Sequence, residues 1–222
     1  MKKNKFLRLA SVMLMLCLIT TCAISGTFAK YTTNDTGSDS ARVAKWGVTV
    51  ELSGASLFSD TYNSNKVVGT SSAKVVAPGT SGTLAGITIS GQPEVATTVS
   101  VSGSITFDGW EVSGSEYCPI VVTVDGVNYQ IGTEADTATN MYYDDIADLE
   151  AALVTAISDL SASFNAGDTL SGTGINSMIS WSWGNEVDNA KDTVLGDLAA
   201  DGDTSNDPTI ELNITISVDQ TL

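Results

Sequence analysis

Apolar and polar residues alternate along most of this chain. Trp46, Val48, Val50 and Leu52 share one parity, as do Val95, Thr97, Val99, Val101, Ile105 and Phe107 in a run crossed by Gly103. Ile120, Val122 and Val124 lead into Asp125-Gly126, after which Val127, Tyr129 and Ile131 alternate again. Ile179, Trp181 and Trp183 repeat the pattern, and Ile210, Leu212, Ile214, Ile216 and Val218 close the series. Leu84, Ile87 and Ile89 make a shorter run. Period two marks strands with one buried face. Two such runs around Asp-Gly mark a hairpin. Pro78-Gly79, residues 91–93, Ser113-Gly114 and residues 172–174 punctuate the runs as turns. The spacing predicts an all-β, antiparallel sandwich or barrel.

Two segments follow another period. Ile146, Leu149, Leu153, Ile157 and Leu160 fall at helical spacing over residues 144–160. Asp144, Asp145 and Asp148 crowd the first turns, where the helix dipole favours negative charge. Residues 189–199 predict a second short helix with Val194, Leu195 and Leu198 inward. Both helices are expected in connections that cap the sandwich.

The N-terminus reads as a secretory signal peptide. Lys2, Lys3, Lys5 and Arg8 precede an apolar stretch, residues 9–24, and Thr27 and Ala29 form a small-x-small site. The stretch is short for a membrane span, which needs about 17–25 apolar residues. Cleavage is expected between Ala29 and Lys30. An uncleaved anchor is the alternative. A lipoprotein cut before Cys22 fits less well, because Thr21 is bulkier than a lipobox normally places there. The expected organisation is a signal peptide at 1–29, a flexible arm at 30–42, and a sandwich domain at 43–222 with its helical insertion near 144–160. No membrane attachment is expected after processing.

Charge narrows the partners. Four of the ten basic residues precede Ala29, and all 26 acidic residues follow it, which leaves six against 26, a net charge of −20. Such a chain repels nucleic acid and anionic membranes. There is no histidine, which excludes His-based acid–base work, His-containing zinc sites and a Ser-His-Asp triad. Cys118 stands alone after processing and reads as a small buried hydrophobe beside an apolar strand. Residues 201–207 are the best calcium candidate, with oxygen side chains at alternate positions, but they lack the glycine and the closing glutamate of a calcium loop. A solvated loop fits them better. Trp110, Trp181 and Trp183 offer a stacking platform for sugars, although the last two share parity with Ile179 and so belong in a core. No cofactor is expected.

Several stretches taken together carry a resemblance. GTFAKYTT at 26–33 and ARVAKWGVTVEL at 41–52 resemble the start of the TasA/camelysin family of exported biofilm-matrix proteins. APGTSGTLAGITISGQPEVATTVSVSGSI at 77–105 is similar to that family's next turn and strand pair, and IELNITISVDQ at 210–220 to its closing strand. The likeness covers both ends and the first third. The resemblance implies a jelly-roll sandwich, processing by a SipW-type signal peptidase at Ala29, secretion to the extracellular matrix or cell surface, and self-association into fibres, with matrix partner proteins as further company. In such fibres the freed N-terminal segment of one subunit completes the sheet of the next; Tyr31 and Val43 are the expected anchors of that arm. The peptidase label carried by the camelysin name needs zinc ligands of a type this chain lacks, so no enzyme is expected. The rival expectation is a monomeric secreted module that binds a glycan or a host surface through its aromatic residues.

Overall fold

The computed structural model describes residues 4–25, 40–52, 55–62, 66–69, 73–170, 175–176, 178–184, 188–201 and 204–221. Thr27, Ala29, Lys30 and Tyr31 lie outside the described residues. The chain divides into two units, Met1–Arg42 and Val43–Leu222. The first contains helix α1 (Lys5–Ser25). Among the described residues no helix is long and apolar enough to cross a membrane.

The second unit is mostly β. Its larger sheet runs in the order β11 (Asn140–Tyr143), β10 (Val127–Ile131), β9 (Ile120–Val124), β13 (Ile179–Trp183), β4 (Ser81–Thr83). A second sheet runs β12 (Ala162–Phe164), β6 (Thr97–Asp108), β14 (Thr209–Gln220). Small two-stranded pairs join β1 (Thr49–Glu51) to β5 (Thr88–Ser90), β2 (Thr61–Tyr62) to β3 (Val67–Val68), and β7 (Glu111–Val112) to β8 (Ser115–Glu116). The two larger sheets share one core. Val99, Val101, Ile105 and Phe107 of β6 cluster with Ile120, Val122 and Val124 of β9 and with Ile179, Trp181 and Trp183 of β13. That is the arrangement of a β-sandwich.

Local chemistry explains the elements. Asp125 and Gly126 both take positive φ (47° and 80°), the primed-turn geometry that matches the twist of the flanking strands β9 and β10. Ser113 and Gly114 do the same between β7 and β8. Gly103 does not interrupt β6. A Cβ there would lie 2.2 Å from the Asn213 carbonyl, so glycine is what lets β14 approach that closely.

Helix α2 (Ile146–Ser158) forms where the period predicts it and buries Leu149, Leu153, Ala156 and Ile157. Asp145 is its N-cap, and the Asp148 N–H donates to Asp145 Oδ1 at 2.8 Å. Asp145→Ala leaves that N–H without its acceptor and is expected to cost about 1 kcal/mol, read from a urea titration. Helix α3 (Asn189–Leu198) also forms, with Leu195 inward, but Val194 is exposed. The buried neighbour is Asp192 instead, which accepts a hydrogen bond from Tyr117 Oη at 2.8 Å. A hydrophobic period misses an acid that is held by a partner 75 positions away.

Two expectations need correction. The sandwich is not wholly antiparallel, because β10 and β11 run parallel, with Asn128 opposite Asn140 and Ile131 opposite Tyr143. Residues 132–139 carry the chain back to the start of the edge, and side-chain amides stitch the pair, Asn128 Nδ2 donating to Asn140 Oδ1 at 2.9 Å. The strand expected from Trp46 to Leu52 is shorter than its alternation, since only Thr49–Glu51 pairs and Trp46 remains exposed.

Candidate functional site

With no histidine in the chain, the candidates for chemistry in the second unit are its carboxylates and the thiol of Cys118. Among the described residues no group of three or more Cys, Asp and Glu is placed to hold a metal ion. In the calcium candidate, residues 202–203 lie outside the described residues, and Asp207 Oδ1 is buried without a hydrogen-bond partner. Cys118 is buried. Desolvation pushes its thiol up to about 12, outweighing a hydrogen bond from the Ile120 backbone, with a smaller upward push from the Glu116 carboxylate. A protonated, enclosed thiol is no nucleophile.

Below pH 9.0, the ordinary thiol value, Cys118 keeps its proton both folded and unfolded. Between 9.0 and about 12 only the unfolded chain ionises, which draws the equilibrium towards unfolding. Burial raises Tyr62, Tyr117, Tyr129 and Tyr143 in the same direction. The melting temperature is therefore expected to fall as pH rises through this window, and less steeply in Cys118→Ala.

The aromatic platform is not at the surface. Trp110 and Trp181 are each 1% exposed and Trp183 is 5% exposed. Trp110 bridges the core, its ring centroid 6.3 Å from Phe107 and 5.5 Å from Trp183. Its Nε1–H donates to the Thr209 carbonyl at 2.6 Å. These indoles hold the sandwich together and present no face to a sugar.

What the fold leaves open is a sheet edge. All twelve residues of β14 pair with β6, from Thr209 opposite Asp108 to Gln220 opposite Thr97. Among the described residues no strand pairs with its other side. The phase of the ladder can be read from its end, where Thr221 N–H donates to the Ala96 carbonyl at 2.9 Å. In an antiparallel ladder alternate residues turn their N–H and C=O to the same neighbour. The odd-numbered residues of β14 therefore bond to β6. The backbone groups of Ile210, Leu212, Ile214, Ile216 and Val218 face the open side, with those of Gln220 at its end.

The same five side chains form the inward row, and they are only half-buried. Their partners across the ladder, Phe107, Ile105, Val101 and Val99, are buried. Beside the first half of β14 lies a groove of about 250 Å³, floored by Leu57 and Leu84, with Phe58, Ile210, Leu212 and Ile214 along it and Lys74 and Glu211 among its lining residues. Residues 55–58 make its opposite bank, and β1 approaches β14 without a ladder between them. This is a slot with an apolar floor and a free row of backbone donors and acceptors on one wall. Sequence reasoning marked the apolar row but not its vacancy, because alternation reports a strand's faces and not its neighbours.

Val43, an expected arm anchor, stands 91% exposed and so fills no pocket of its own unit. Compared with family models, with curated proteins and with solved structures, the chain matches none.

Proposed function

We propose that this chain is a secreted structural protein of an extracellular matrix that polymerises by strand addition once residues 1–29 are removed. The observation that carries the reading is the open side of β14. A strand laid there gains main-chain hydrogen bonds to the even-numbered residues of β14 and covers an apolar row that the subunit leaves half-exposed. In this reading the sandwich is a jelly roll, the signal peptide is cut between Ala29 and Lys30, and the arm at 30–42 of one subunit enters the slot of the next, with Tyr31 and Val43 as its anchors. Head-to-tail addition does not close on itself, so it yields a filament. No catalysis is assigned.

Charge supports the same pairing. Residues 30–42 carry two basic and two acidic residues, whereas residues 43–222 carry four basic and 24 acidic ones. The arm is neutral, so an acidic body does not repel it. The bodies still repel each other. Salt, calcium or mild acid is expected to raise assembly by screening or neutralising carboxylates, as followed by light scattering. Scattering that stays flat across salt and pH counts against this.

The deciding experiment is N-terminal sequencing of the secreted protein with negative-stain electron microscopy of the same sample. A start at Lys30 with thin, regular filaments is the expected result. A chain beginning at Met1 in the membrane fraction overturns the reading, and processed monomers at every salt concentration overturn its fibre half.

A further inference from the structure

The larger sheets have other borders, and outward groups are occupied at several of them. At β11 the odd-numbered carbonyls face β10, since Asn128 N–H donates to Thr139 at 2.9 Å and Gly132 N–H to Tyr143 at 3.0 Å. Asn140 and Tyr142 therefore turn their N–H groups outward. Both are taken by side chains of the preceding loop, Asn140 by Thr137 Oγ1 at 3.0 Å and Tyr142 by Asp136 Oδ1 at 2.9 Å. At β6 the odd-numbered residues face away from β14. β12 pairs with the first of them. Beyond it, Val101 N–H donates to Ser161 Oγ at 2.9 Å and Phe107 N–H to Glu150 Oε1 at 2.7 Å. Just past the end of β4, Ser56 and Ala85 exchange reciprocal bonds of 3.0 Å.

We propose that Asp136, Thr137, Glu150 and Ser161 are sealing residues, which occupy the outward N–H groups of Asn140 and Tyr142 on β11 and of Val101 and Phe107 on β6, and so bar strand addition there while β14 stays open. A carboxylate in this place does two things. It holds the donor that an incoming strand needs, and it sets a negative charge where that strand's carbonyl would arrive. β11, with Met141, Tyr142 and Tyr143, is otherwise a good template for addition. A subunit whose β11 and β6 refuse a strand while β14 accepts one elongates a filament without branching from those borders. That consequence rests on the function proposed above; the seals themselves are testable without it.

The test compares Asp136→Ala/Thr137→Val and Asp136→Asn with the parent protein. Amide exchange is read by NMR or mass spectrometry at low salt, and assembly by electron microscopy at high salt. The double variant is expected to exchange Asn140 and Tyr142 at least about tenfold faster with the β9–β10 hairpin still protected, and to form branched or laterally fused assemblies. Asp136→Asn, which keeps an oxygen acceptor, is expected to behave as the parent. Should the hairpin lose protection, the comparison moves to the other border, Glu150→Ala against Glu150→Gln, read at Phe107. The proposal is overturned if these amides exchange equally fast in the parent, or if they open and the assemblies stay unbranched. A parent that never assembles removes the fibre reading alone: the seal then stands if the opened variant self-associates and falls if it remains monomeric.

Discussion

Ile214→Pro is expected to stop assembly while leaving the domain folded. The ladder phase puts the Ile214 N–H on the open side of β14, so proline there removes no bond to β6. Proline is tolerated in strands at such edge positions, and the extended conformation it demands of Asn213 already exists there. An incoming strand, however, loses a donor at the centre of the slot and meets the pyrrolidine ring. Each 1.4 kcal/mol lost per junction is about tenfold in association, and one missing hydrogen bond with its displaced neighbours reaches that value. Filaments should therefore fall by at least about tenfold in a sedimentation assay, with circular dichroism unchanged. Asn213→Pro is the matching control. Its N–H belongs to the β6 ladder, so the domain should unfold rather than merely fail to assemble. If Ile214→Pro yields filaments at the parent level, β14 is not the acceptor edge.

The second large effect concerns the wall behind the slot. Trp181 is buried between Phe58 and Tyr62, with ring centroids 5.7 and 6.0 Å away, and its Nε1–H donates to the Leu57 carbonyl at 3.1 Å. Leu57 is part of the groove floor. The close fit extends to Gly82, where a Cβ would lie 2.5 Å from Trp181 Nε1. Trp181→Ala leaves a large cavity and an unpaired carbonyl, and is expected to cost about 3–5 kcal/mol in urea unfolding. That is a large part of the roughly 5–15 kcal/mol that holds a domain together. Trp181→Phe should cost less, because a ring still fills most of the space. A loss below about 1 kcal/mol for Trp181→Ala would mean that the indole is not packed as described.

Much of the fold was legible where its cause is local. Asp125-Gly126 dictates its own turn, Asp145 caps its own helix, and the apolar rows of β6, β13 and β14 lie on the faces their alternation predicts. What stayed hidden depends on distant neighbours. Nothing in Asn140–Tyr143 reveals that the strand lies parallel to β10, because pairing direction is settled by where the loop returns. The burial of Asp192 depends on a hydrogen bond from Tyr117, which helical spacing does not report. Asp136 and Glu150 looked like two more acids in an acidic chain, and only the backbone groups they meet distinguish them. The openness of β14 is the same kind of property, set by which strand lies next to it.

The twelve-residue register of β6 and β14 also determines how the domain bears a pull. Tension along β14 meets the hydrogen bonds of the ladder side by side, in shear, rather than one after another as when a hairpin is peeled from its end. Rupture then requires many bonds to yield together. A strand lying along the open side of β14 would be loaded in the same geometry, so the tensile strength of such a junction grows with the number of residues in register and not with the strength of any single contact.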